Sequence, residues 1–142
     1  MSAPMQYATF LLDGLSFGVE VLRVQEVIRY QRMTRVPRTS AAVAGLINLR
    51  GQIVTALDLR ARLGLPPRAP GRLPMNVVVR TSDGAVSLLV DEIGDVVSVE
   101  PDQFEPAPET APAAVLEIVP GVFKLSDRLL LQLDVDRAVH IP

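Results

Sequence analysis

From Gln6 to Leu12 the chain alternates, with Tyr7, Thr9 and Leu11 on one side and Ala8, Phe10 and Leu12 on the other, and Phe17–Leu22 resumes that period after Asp13-Gly14. A period of two on both sides of an Asp-Gly step predicts a β-hairpin. Val24–Ile28 fits neither period cleanly: it either extends the second strand or forms a helical turn, and extended structure is the preferred reading. Arg29, Arg32, Arg35 and Arg38 then recur at every third position up to Val36-Pro37, where proline opposes a helix, so this stretch reads as a basic loop. Thr39 or Ser40 is placed to cap a short helix through Ala41–Ala44, which Gly45 would end.

Leu46–Leu59 reads as two strand segments meeting at Gly51, a residue that permits a bulge or sharp bend. Asp58 is placed to cap a helical turn through Arg62 that ends at Gly64. Pro66–Pro74 holds four prolines and Gly71 and reads as a connection. Met75–Thr81 and Ala85–Val90 flank the turn Ser82-Asp83-Gly84 as a second hairpin. Val96–Val99 follows Gly94, Pro101–Pro112 reads as a proline-bearing loop, and Val115–Val119, Gly121–Leu125 and Leu129–Val135 read as short strands. Asp136–Pro142 permits one helical turn at most.

Many short strands punctuated by Gly and Pro, with only stub helices, predict an all-β fold of small barrels or a sandwich. The proline-rich connections divide it into two barrel-like lobes within one domain spanning residues 1–142, with lobe boundaries that the sequence does not assign. Lobes of about 60 residues are marginal alone, so they are expected to share a core.

With 142 residues, 49% hydrophobic and 21% charged, the chain suits a compact globule whose core is aliphatic, since aromatics are only 4%. The absence of cysteine excludes disulfides and thiol chemistry. No apolar run approaches the ~20 residues of a spanning helix, so membrane insertion is not expected and a cytoplasmic location is. The single histidine, His140, stands near the end of the chain, a poor place to hold catalytic geometry. No phosphate-binding glycine motif occurs. The carboxylates Asp91, Glu92 and Asp95, and the pair Asp134 and Asp136, read as solvated turn or strand-end acids. No metal, cofactor or enzymatic activity is expected.

Net charge is −2, yet residues 1–80 carry 11 arginines against 4 acids, and the remainder carries 3 basic residues against 12 acids. Either the two halves interleave and cancel, or they leave a dipolar surface suited to steering partners. A small β-barrel binding nucleic acid through the arginine loop, with Tyr7, Phe10 and Tyr30 as stacking surfaces, is the alternative functional reading. Low aromatic content and near-neutral charge weigh against it, and no nucleic-acid partner is expected.

A binding module remains, and Gly45-Leu46-Ile47-Asn48-Leu49-Arg50-Gly51-Gln52-Ile53-Val54-Thr55-Ala56-Leu57-Asp58-Leu59-Arg60 resembles the signature of the CheW family, adaptors of bacterial chemosensory arrays. Val24-Gln25-Glu26-Val27, Leu89–Val96 and Leu129–Arg137 resemble further family segments in the same order, so the resemblance runs from Tyr7 to Arg137. It implies two five-stranded SH3-like barrels around a shared hydrophobic core, and non-catalytic coupling. One face would bind the cytoplasmic tip of a methyl-accepting receptor and another the regulatory domain of the histidine kinase CheA. Weak self-association within membrane-associated receptor arrays is implied as well. By motif match, Arg50 is the receptor-contact or lobe-junction arginine, with an internal salt bridge as its structural alternative. Val24 and Glu26 match the receptor groove. A helical receptor tip wants an apolar groove, which Val24, Val27 and Val90 are placed to line. Gly45 matches a position implicated in kinase association; a helix C-cap explains it equally well.

Overall fold

A computed structural model describes residues 5–37 and 40–140, so Arg38 of the arginine series and the proposed cap Thr39 lie outside the described residues. The first hairpin forms as expected: β1 (Met5–Leu12) turns into β2 (Leu15–Glu20). Asp13 and Gly14 both hold positive φ, at 51° and 78°, as a two-residue turn matched to strand twist requires. A 3₁₀ turn at Val21–Arg23 then redirects the chain, so β3 (Val24–Ile28) is extended but joins a different sheet instead of continuing β2. Next come β4 (Val43–Leu49), β5 (Gln52–Asp58), α1 (Leu59–Arg62), β6 (Met75–Thr81), β7 (Gly84–Val90) and β8 (Glu92–Val99). The chain closes with β9 (Phe104–Pro106), α2 (Ala113–Ile118), β10 (Gly121–Lys124), β11 (Leu129–Gln132) and α3 (Val135–Val139).

Two sheets result, a six-stranded one ordered β8-β1-β2-β11-β10-β9 and a five-stranded one ordered β3-β6-β7-β5-β4. The first sheet takes both ends of the described chain, and the second is an excursion between β2 and β8. That is why no linear boundary separates the lobes in sequence. The sixth strand is β9, which the proline-bearing loop concealed; it pairs with β10 and sets Phe104 against Phe123 at 5.3 Å.

The principal core lies between the sheets. Phe10, Leu12, Phe17 and Val19 of the first meet Leu57, Val77, Val79, Leu88 and Val90 of the second, and the helices add Leu59, Ile118, Val135 and Ala138. Smaller clusters serve each sheet alone: Tyr7, Val99, Phe123 and Leu130 in the first, and Ile47, Val54, Ala56 and Leu89 in the second. Strand β7 shows the logic, because alternation sends Leu88 and Val90 to the shared core and Ser87 and Leu89 to the opposite side.

Two sequence expectations are overturned. Ala41–Ala44 is not a helix; a turn at Ala41-Ala42 leads into β4, where Val43 pairs with Leu57, so strand pairing overrides local propensity. Val115–Val119 is not a strand but belongs to α2 and its C-cap. Val115, Ile118 and Val119 stand at i, i+3 and i+4 and all pack on the shared core, which is helical spacing.

Candidate functional site

The β4–β5 connection is a two-residue hairpin turn in which Arg50 and Gly51 hold φ of 52° and 88°. Asn48 Oδ1 accepts the Gly51 N–H at 2.9 Å and fixes the turn. A bulky residue at positive φ costs free energy, so Arg50 occupies a position where glycine or asparagine would be easier. Its guanidinium reaches Glu26 on β3 with both prongs, Nη1 to Oε2 at 2.7 Å and Nη2 to Oε1 at 3.0 Å. Strands β3 and β4 are opposite edges of the five-stranded sheet, so the pair ties its two ends together.

The two side chains differ in access: Arg50 is 78% exposed and Glu26 only 17%. The internal salt bridge expected as the structural alternative therefore exists. With one partner so exposed, it is worth about 0.5–1 kcal/mol, too little to hold the fold. Glu26 holds the guanidinium in one orientation while most of Arg50 stays open to solvent. Near this pair in the chain, Val27 is 41% exposed and Ile53 64% exposed. Ile53 went unnoticed in the sequence because it sits inside the strand motif; its register opposite Asn48, next to the turn, explains the exposure.

Val24 is half-buried and packs on the shared core. Val90 is a correction: it is wholly buried in that core and has no surface with which to line a groove. Gly45 is not a helix C-cap either. It lies in β4 at a register irregularity, buried, and a Cβ there would stand 2.7 Å from the Thr34 carbonyl oxygen. Its small size lets the Met33-Thr34 segment lie against β4, where Thr34 and Leu46 exchange two backbone hydrogen bonds of 2.8 Å.

Three of the carboxylates read as solvated acids, Asp91, Asp134 and Asp136, have structural partners. Asp91 takes Arg60 through Nε at 2.9 Å and Nη2 at 2.6 Å, and it accepts the Asp13 N–H at 2.8 Å. Arg68 Nε lies 2.9 Å away as well, without hydrogen-bond alignment. Burial by itself pushes the Asp91 carboxyl up; the Arg60 hydrogen bonds, the Asp13 N–H and both guanidinium charges outweigh it, so its pKa lies below the usual carboxylate range. Asp91 thereby joins the β1–β2 turn of one sheet to α1 and the proline-rich connection beside the other. Asp134 caps α3 through the Arg137 N–H at 3.1 Å, and Asp136 pairs with Arg23 at 2.9 Å, which holds its carboxyl low. Asp58 caps α1 as expected, accepting the Arg60 N–H at 3.0 Å.

Charge interleaves across the halves of the chain. Arg23, Arg60, Arg62, Arg68 and Arg72 pair with Asp136, Asp91, Glu117, Asp91 and Glu92 respectively. Among the described residues, Arg29, Arg32 and Arg35 are left without an acidic partner. The stacking platform of the nucleic-acid reading is corrected: Tyr7 and Phe10 are buried at 0% and 1% exposure, and only Tyr30 of the three reaches the surface.

A second surface stands apart from the Arg50 turn. Strand β8 is an open edge of the six-stranded sheet, and it exposes Ile93 and Val96, while Met5 and the 85%-exposed Leu22 border a cleft with Ser98. In the sequence Gly94 interrupts the apolar pattern, so the strand shows only from Val96 although it includes Ile93. Among the described residues no helix is long and apolar enough to cross a membrane.

Residues 6–141 match the family model described as the CheW-like domain. The chain is 30% identical over 132 residues to the chemotaxis protein CheW of Klebsiella aerogenes, covering 93% of this chain and 80% of that one. It is 31% identical over 125 residues to the chemotaxis protein CheW of Bacillus subtilis, covering 88% and 80%. Its fold is similar to the crystal structure of the scaffolding protein TtCheW from Thermoanaerobacter tengcongensis, with a TM-score of 0.87 at 25% identity, covering 98% of this chain and 94% of that one. The two-sheet fold with its shared core, the Arg50-Gly51 hairpin and the full-length family match together make this chain a member of the CheW-like family.

Proposed function

We propose that this protein is a non-enzymatic adaptor that couples methyl-accepting chemoreceptors to the regulatory domain of the histidine kinase CheA, on the cytoplasmic side of receptor arrays. The observation that carries the receptor half is the Arg50–Glu26 pair, a guanidinium pre-oriented by a largely buried carboxylate yet 78% exposed, with exposed Val27 and Ile53 nearby in the chain. A guanidinium held in one orientation suits a carboxylate on a helical partner at low ordering cost, and exposed apolar residues suit that helix's apolar face. Val24 anchors β3 to the shared core, and Glu26 sets the arginine's direction.

The kinase half is assigned to the open β8 edge, which exposes Ile93 and Val96 away from the Arg50 turn, with exposed Met5 and Leu22 at a separate cleft by Ser98. Apolar, edge-exposing strands favour association with another folded domain. Gly45, being buried, would act on kinase association only through the position of Met33-Thr34. Two separate faces on one rigid body convert two modest affinities into avid assembly and carry a receptor shift to the kinase.

Isothermal titration of a receptor cytoplasmic fragment and of the kinase regulatory domain against Arg50→Glu and Ile93→Glu/Val96→Glu separates the faces. Loss of receptor binding in the first and of kinase binding in the second, each with the other retained, is the expected pattern. Unfolding of Arg50→Glu would instead assign Arg50 to fold maintenance.

A further inference from the structure

We propose that the Arg29–Arg35 segment and the cavity beside it form a third docking site, one that takes an acidic, extended segment of another protein with an apolar side chain among its carboxylates. This goes beyond the receptor and kinase faces and does not depend on either.

Charge is the first argument. Every other arginine described in the first 80 residues has an acid or a backbone carbonyl as partner, whereas Arg29, Arg32 and Arg35 are exposed and have no ion pair among the described residues. Unpaired like charges at every third position repel one another, so an acidic partner relieves a cost that the folded chain alone retains.

Order is the second. The backbone under these arginines is fastened at three places: Asn76, buried, donates Nδ2 to the Arg29 carbonyl at 3.1 Å; Met33 packs on the Ile47–Leu89 cluster; and Thr34 is bonded to Leu46 in both directions. Asn76 is itself held by Ser87 Oγ at 2.7 Å. The loop is therefore pre-organised, and binding does not bear the entropy of ordering it.

The third argument is the cavity of about 790 Å³ between this loop and the start of β4, walled by Tyr30, Met33, Arg35, Ala41, Val43 and Ala44. Met33, Val43 and Ala44 give one side of this mixed lining an apolar character that suits a side chain, and its one acid, Asp58, is already engaged by the Arg60 N–H at 3.0 Å and by Arg68 at 3.5 Å. Nucleic acid fits less well, because Tyr30 is the one exposed aromatic here and the cavity offers no stacked platform.

The test is fluorescence anisotropy with a labelled twelve-residue peptide of alternating Glu and Leu, its Gln-for-Glu counterpart and a labelled single-stranded oligonucleotide. The expected result is binding of the acidic peptide, weakened by added salt. Arg29→Glu/Arg32→Glu/Arg35→Glu should weaken it by about tenfold or more, the summed worth of three exposed ion pairs. Ala41→Phe, an exposed substitution that fills the cavity, is expected to weaken it as well. Unchanged melting curves for both variants, which alter exposed residues, show that the fold is intact. Equal affinity for the Gln peptide, equal or tighter oligonucleotide binding, or indifference to either variant would overturn the proposal. So would a self-association of the wild type that the triple reversal abolishes, since the occupant would then be a second copy of this chain.

Discussion

Replacing Asp91 by Asn removes the one carboxylate that faces both Arg60 and Arg68. The side chains of Arg60, Arg68 and Asp91 are exposed by only 11%, 12% and 15%, so the guanidinium groups cannot simply turn to water. Their remaining acids make only long contacts, Asp13 at 3.9 Å from Arg60 and Asp58 at 3.5 Å from Arg68. Breaking a buried pair from one side costs about 3–5 kcal/mol. Asparagine keeps one oxygen for the Asp13 N–H, so a loss of about 2–3 kcal/mol is expected, a large part of a typical domain's stability. Urea unfolding followed by circular dichroism at pH 7 reads this loss, with a fall of about 5–10 °C in Tm beside it. The pH dependence carries the sign. Asp91 has a folded pKa below its unfolded value, so its contribution is fully present above about pH 4 and disappears as pH falls through the lower folded pKa. Wild type and Asp91→Asn should therefore converge in stability once the pH has fallen through that lowered folded pKa. A variant within 0.5 kcal/mol of wild type at pH 7, or a gap that persists in acid, would refute the view that this carboxylate fastens the two sheets; here 0.5 kcal/mol is roughly the scatter of neutral surface changes.

Three further outcomes are expected. Arg50→Glu should lower stability by no more than about 1 kcal/mol in urea melts and abolish receptor binding, while Arg50→Glu/Glu26→Arg restores the melt but not the binding. Gly45→Ala drives a Cβ to 2.7 Å from the Thr34 carbonyl, and it should cost about 1–3 kcal/mol and raise amide exchange at Thr34 and Leu46. Arg62, whose Nε donates to the Ala138 carbonyl at 3.2 Å and whose Nη1 meets Glu117 at 2.9 Å, anchors α3; Arg62→Ala should speed hydrogen exchange across Val135–Val139 and leave β6 and β7 protected.

Turn chemistry was the most legible part of the chain. Asp13-Gly14 and the Asp58 cap announce themselves through residue types that few backbone geometries accept, and both stand where expected. The Arg50-Gly51 step was read as a bend, and pairing of Leu49 with Gln52 makes it a hairpin. Short apolar runs were ambiguous: Val115–Val119 carries strand composition, and only its burial on one side reveals α2. Ala41–Ala44 failed for the opposite reason, since its helical propensity yields to pairing with β5. At the candidate site, the motif match singled out Arg50 and Glu26 separately. Their contact joins residues 24 positions apart on opposite sheet edges, which no local pattern encodes. Val90 was misplaced because its strand is buried on both faces, so alternation does not distinguish core from surface there.

Whether one molecule holds both partners at once is best measured by sedimentation velocity of the protein mixed with a receptor cytoplasmic fragment and the kinase regulatory domain. A ternary species heavier than either binary complex is predicted. Arg50→Glu should reduce it to the kinase pair alone, and Ile93→Glu/Val96→Glu to the receptor pair alone. Mutual displacement of receptor and kinase, or no complex with either, would contradict the account.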